Sequence, residues 1–170
     1  DENTAVGHKC GKYNTSIRAV LYGSFAGLNN QSWPNMFMGY NAAGGGTITG
    51  SYNTAVGYDA MYALTTGSEN TAFGDTALKD CTTGSKNTAI GRNALDDLTT
   101  GNYNTAVGWN SMSNGTVTGT ENCAVGQETL RDTTGGSRNT AIGRSAGEQI
   151  TTGENNSFIG RNAGRSGSPG

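Results

Sequence analysis

The chain has 170 residues, 28 of them glycine, with 14% charged and 33% hydrophobic side chains and a formal net charge of −2 at pH 7. So few large apolar groups exclude a conventional central core, and so little charge excludes the composition of a typical disordered chain. The balance points to neither nucleic acid nor an anionic membrane as partner, and no run of about 18 apolar residues is present to span a bilayer.

In chain order, the first residues, DENTAVG, already belong to a repeat that runs to the end. They therefore read as no targeting segment, and the abrupt start reads as an excerpt of a longer array. The repeat is marked by a glycine at Gly7, Gly23, Gly39, Gly57, Gly74, Gly91, Gly108, Gly126, Gly143 and Gly160. These positions define ten units of 16 to 18 residues. A motif asparagine recurs at Asn53, Asn70, Asn87, Asn104, Asn122, Asn139 and Asn156. The full unit reads N-T-A-V-G-x-x-A-L-x-x-L-T-T-G-x-x. Two 18-residue units carry GTITG at 46–50 and GTVTG at 115–119 in place of TTG, so one corner accepts an extra residue. The array fills 1–170 as a single domain, with a tail at 164–170.

A 17-residue unit is too short to fold alone and buries its apolar face only by stacking on the next. Thr, Val and Ile favour short strands, Gly and Asn favour turns, and the composition opposes helix. The predicted fold is all-β: a parallel β-solenoid of about ten rungs. The motif glycine is a backbone requirement, ending a strand at a positive φ or a close approach. The asparagines predict a ladder of stacked amides or a set of turn caps.

Side chains alternate along a strand, so Thr and Val share one face and Ala takes the other. The Val position holds Val6, Tyr22, Met38, Val56, Phe73, Ile90, Val107, Val125, Ile142 and Ile159, and is never charged. It is predicted to point into the core. The Ala face is predicted to meet a neighbouring subunit. A second apolar position holds Met61, Leu78, Leu95, Met112 and Leu130, with Gly147 and Gly164 near the end; a third holds Leu64, Cys81, Leu98 and Ile150. Cys10, Cys81 and Cys123 each replace a small or apolar residue of the repeat and read as free structural thiols.

The segment NTAIGRNALDDLTTGNYNTAVG (87–108) resembles the head repeats of YadA-type trimeric autotransporter adhesins. It is more similar still to the NTAVG…AL…TTG arrays of phage-like tail fibres. The adhesin repeat is shorter, and begins N-S-V-A rather than N-T-A. The resemblance implies a left-handed parallel β-roll assembled as a parallel homotrimer about a long axis. It also implies an extracellular, cell-surface or virion location and a structural or adhesive role. The partners would be two further copies and a host-surface glycan or protein receptor.

No catalytic constellation is visible, so no enzyme, metal or cofactor is expected. His8 stands in the variable position after the glycine. Asp96, Asp97, Asp80 and Asp132 read as solvated loop charges, although paired carboxylates would suit a depolymerase spike. There is no CxxC, no calcium-roll repeat, and no GK[ST] after Gly44–Gly46. In the position after the glycine, Tyr40, Tyr58 and Trp109 suit sugar rings and Arg92, Arg144 and Arg161 suit anionic groups; the plainer reading is a solubilising stripe. The rival from another class is an ice-binding solenoid presenting the Thr pairs 65/66, 82/83, 99/100 and 151/152.

Overall fold

A computed structural model describes residues 2–115 and 117–165. Among these there is no helix. The strands are β1 (Thr4–Val6), β2 (Val20–Tyr22), β3 (Asn29–Asn30), β4 (Met36–Met38), β5 (Thr47–Ile48), β6 (Thr54–Val56), β7 (Thr71–Phe73), β8 (Thr88–Ile90), β9 (Thr105–Val107), β10 (Cys123–Val125), β11 (Thr140–Ile142) and β12 (Ser157–Ile159). Ten of them form one parallel sheet in the order β1-β2-β4-β6-β7-β8-β9-β10-β11-β12, and β3 pairs with β5. Register is one motif on the next: Thr88 lies beside Thr105, Ala89 beside Ala106 and Ile90 beside Val107. The chain is an all-β parallel solenoid. Of the predicted tail, Gly164 lies against the Phe158 ring as part of the last rung, and 166–170 lie outside the described residues.

Three-residue strands hold little by themselves, and the rungs are joined by further bonds. Outside the strands the backbone pairs rung to rung, as Leu78 N–H with the Ala94 carbonyl at 3.0 Å and Asp80 N–H with the Asp96 carbonyl at 3.0 Å. Beside the strands runs a buried column of asparagines. The Nδ2 of Asn87 donates to Oδ1 of Asn70 at 3.1 Å and to the Gly101 carbonyl at 2.9 Å. Its backbone N–H donates to the same Oδ1 at 2.9 Å. Its own Oδ1 accepts from N and Nδ2 of Asn104 at 2.9 and 3.2 Å. Each carboxamide thus both donates and accepts twice, which satisfies a buried amide. The column runs from Asn35 through Asn53, Asn70, Asn87, Asn104, Asn122 and Asn139 to Asn156. It stops upstream of Asn35, because Ala19 stands in that position and has no carboxamide to continue it. There Asn35 turns to Oδ1 of Asn30 at 2.9 Å instead.

The motif glycines hold φ of 116° to 148°. A Cβ on Gly57 would lie 2.2 Å from the carbonyl oxygen of Gly74. Both the dihedral and the stacking therefore demand glycine here.

The prediction for the two strand faces is reversed. The Ala position is the one inside: Leu21, Phe37, Ala55, Ala72, Ala89, Ala106, Ala124 and Ala141 are fully buried. The Val position points out, with Phe73 57% and Ile90 42% exposed. The reason is room. The interior must also hold the Met61, Leu78, Leu95, Met112, Leu130 column and the Leu64, Cys81, Leu98 column, all fully buried. Opposite those, only a methyl fits the strand's inner face. In the two longer units Ile48 and Val117 supply the third column, with Val117 bridged to Leu98, so the extra residue leaves the core filled.

Where the Ala position is large, the leucine position is small. Leu21 lies against Gly11 and Gly27, Phe37 against Gly27, and Phe158 against Gly147 and Gly164. The leucine position has φ near 50° (Leu78 53°, Leu95 52°), a left-handed conformation that is unfavourable for a side chain. Glycine relieves that strain, and the vacated volume is filled from the strand.

Two outcomes check this interior. Replacing Asn87 with Ala strands the N–H and Nδ2 of Asn104 and the Gly101 carbonyl, and is expected to cost about 3 kcal/mol or more in denaturant titration; Asn156→Ala, half-buried at the last rung, costs under about 1 kcal/mol. Phe158→Ala is expected to cost about 2–3 kcal/mol, and adding Gly147→Leu and Gly164→Leu should recover only part of it, because the refilled volume is offset by the left-handed strain each leucine takes on, whereas Gly147→Leu alone clashes with Leu130 and Phe158.

Candidate functional site

The outer side of the ten-stranded sheet is the most regular surface of the protein. Its centre is two columns, the Thr position and the Val position, carried outward by strand alternation. Val6, Tyr22, Met38, Phe73, Ile90, Val125, Ile142 and Ile159 make the second column an exposed apolar stripe across the rungs, and Val20 and Met36 widen it in the first. Exposed apolar groups are ordinary singly, whereas a contiguous stripe of this kind is the surface at which an interaction site is sought.

Two mixed columns border this centre. After the glycine stand His8, Ser24, Tyr40, Tyr58, Asp75, Arg92, Trp109, Gln127, Arg144 and Arg161. Of the predicted binding residues, the structure brings Tyr40 and Tyr58 together, their rings stacked at 5.3 Å and 9°. Phe25 stands edge-on to Tyr40 at 5.9 Å, and His8 edge-on to Phe25 at 5.5 Å. Phe25 lies one position further along the turn, which the repeat register conceals. Trp109 is exposed several rungs away, and Arg92 lies 3.6 Å from Asp75. Arg144 and Arg161 are exposed on adjacent rungs.

The other border precedes the asparagine: Glu2, Arg18, Pro34, Tyr52, Glu69, Lys86, Tyr103, Glu121, Arg138 and Asn155. Sequence reasoning missed it, because its residue type changes at every rung. Its signal is conformational: Tyr52, Glu69, Lys86, Tyr103, Glu121 and Arg138 all have φ of 58° to 62°. Charges alternate along it, with Arg18 2.7 Å from Glu2 and the Lys86 ammonium 3.1 Å from the Tyr103 hydroxyl. Near its start a hollow of about 290 Å³ is lined by Arg18, Val20, Pro34, Asn35, Met36, Tyr52, Asn53 and Thr54.

The predicted carboxylates serve the turns. Asp97 accepts the Gly115 N–H at 2.9 Å, and Asp132 accepts from Arg131 at 3.0 Å and Asn114 at 2.8 Å. Glu148, almost fully buried, sits between Arg131 and Arg165 at 2.8 and 2.9 Å. Burial pushes the Asp96 carboxyl up to about 6, with Lys79 opposing and Asp97, Asp80 and Asp75 adding to the rise. Cys10, Cys81 and Cys123 are free thiols, and burial pushes Cys81 up to about 12. Among the described residues, no group of three or more His, Cys, Asp or Glu side chains is placed to hold a metal ion. Among the described residues there is no helix long and apolar enough to cross a membrane.

Compared with protein-family models, curated proteins and solved structures, the chain matches none of them.

Asp96 generates a pH dependence. A carboxyl raised in the folded state binds its proton more tightly there than in the unfolded chain, so stability falls as pH rises from about 4 through about 6. Asp96→Asn removes that loss. It is expected to stabilise the protein by on the order of 1–2 kcal/mol at pH 8 and to be neutral at pH 4, read from thermal or denaturant midpoints at the two pH values.

Proposed function

We propose that the chain is a structural and adhesive segment of an extracellular trimeric fibre, three parallel copies packed with their sheet faces toward a common axis. The observation that carries this is the apolar stripe along the outer sheet face. Ten rungs about 4.8 Å apart and some five residues across give a face of roughly 50 by 15 Å, on the order of 700 Å²; each copy divides it between two neighbours, so the three faces together bury about 2,000 Å², within the range of specific assemblies. Its anatomy also fits, with an apolar centre and polar, aromatic borders. The interface is thus the Thr/Val face, in place of the Ala face that the sequence suggested. Repetition supplies length and stiffness, and three copies multiply weak surface contacts into avidity.

The alternatives have less support. The first threonine of two of the four corner pairs spends its hydroxyl within the chain, Thr65 on the Thr82 carbonyl at 2.9 Å and Thr82 on that of Thr99 at 3.2 Å, so the corner does not present a uniform row of free hydroxyls to ice. The Thr column of the sheet is interrupted by Val20, Met36 and Cys123 and overlooked by Tyr22 and Phe73. For a depolymerase, Asp97 and Asp132 are already tied to turns.

Light scattering is expected to give a mass three times 17.5 kDa. Ile90→Glu with Ile142→Glu, both outward and therefore harmless to the single-chain core, is expected to shift the mass to that of one chain while leaving the β-sheet circular dichroism intact. A wild-type chain that stays monomeric at high micromolar concentration rules out the fibre.

A further inference from the structure

The two bordering columns carry information that the apolar stripe lacks. In a parallel ring, the column before the asparagine on one copy meets the column after the glycine on the next, because such contacts are heterologous. An antiparallel pair would instead bring each column against itself. The order of charges along the two columns then selects the axial offset between neighbours.

With equal rungs opposed, Glu69 meets Asp75, Lys86 meets Arg92, and Arg138 meets Arg144. Three like-charge meetings and no ion pair result. If the column before the asparagine is instead opposed to the following rung of its neighbour, Glu69 meets Arg92 and Glu121 meets Arg144. Lys86 then meets the exposed face of Trp109, a cation–π geometry. The one like-charge meeting, Arg138 with Arg161, is relieved because Arg138 is paired with Glu154 in its own chain. An offset the other way gives a single ion pair, Lys86 with Asp75, against two. Glu121 and Arg144 are both exposed, and among the described residues neither makes an ion pair within its chain. They are charges left over by the monomer.

Building on the trimeric reading, we propose that neighbouring copies meet one rung out of step, with Glu121 of one copy against Arg144 of the next and Glu69 against Arg92. The apolar stripe supplies adhesion and tolerates sliding, since every rung offers it the same two positions. The borders remove that freedom, because each alternative offset loses ion pairs or opposes like charges. A one-rung step is about 4.8 Å over the width of the face, which a modest tilt of the strands to the fibre axis accommodates without breaking three-fold symmetry.

The test is subunit exchange between differently labelled copies, with mass by light scattering as control. Arg144→Glu opposes two carboxylates at three equivalent contacts and is expected to speed exchange at least tenfold at low salt. Glu121→Lys with Arg144→Glu should restore the wild-type rate, and 0.5 M salt should shrink both differences. If copies meet in equal register, Arg144→Glu faces Arg138 and slows exchange instead, which overturns the offset but keeps the trimer. If the offset runs the other way, Arg144 faces Asn155 and the variant changes little, while Lys86→Glu speeds exchange; that also overturns the proposal. A wild-type chain of single-copy mass overturns the trimeric reading itself.

Discussion

The buried asparagine column is the constraint on which the rest of the structure depends. Each rung contributes only three strand residues, too few to set register by strand pairing alone. The carboxamide adds bonds from one side chain to both adjacent rungs and to the carbonyl of the glycine three residues before the next asparagine. Asp lacks the donors, and Gln is a methylene too long for the same three partners. A slip by one residue would bury an unpaired amide in every rung at once, so register is held collectively.

From that constraint the two faces follow. The column and the two apolar columns opposite occupy the inside of a narrow coil, leaving only a methyl's depth behind the strand. The large members of the motif are thereby turned outward. The exceptions support the same account, since Leu21, Phe37 and Phe158 point inward only where Gly11, Gly27, Gly147 or Gly164 has vacated the opposing volume. The protein thus has a well-filled interior despite its poverty in large apolar residues, and it places many of those it has on one outer face.

Much of this was legible in the sequence, and the remainder was not for definable reasons. The period, the parallel stacking and the glycine corners follow from spacing alone. Which side of the strand faces inward does not, because alternation separates Thr and Val from Ala without saying which is inside. The reciprocal sizes at Phe158, Gly147 and Gly164 held that answer, since two positions that trade volume must share one cavity. The border column of Glu69, Lys86, Glu121 and Arg138 was hidden because its common property is a left-handed backbone, with no common residue type. The stripe after the glycine was visible as a register position, yet only Tyr40 and Tyr58 of its aromatic residues stack directly.

The fibre reading rests on the outer face, and the outer face exists only if the asparagine column holds the inside. The most direct measurement is therefore hydrogen exchange of the asparagine side-chain amides by NMR. The account predicts that the Nδ2 protons of Asn70, Asn87, Asn104 and Asn122 persist for hours in deuterated buffer, as slowly as the strand amides. Those of the exposed Asn114 and Asn155 should vanish within seconds to minutes. Rapid loss at all of these positions alike would contradict the account, because the column would then be open to water and could not set the register of the rungs.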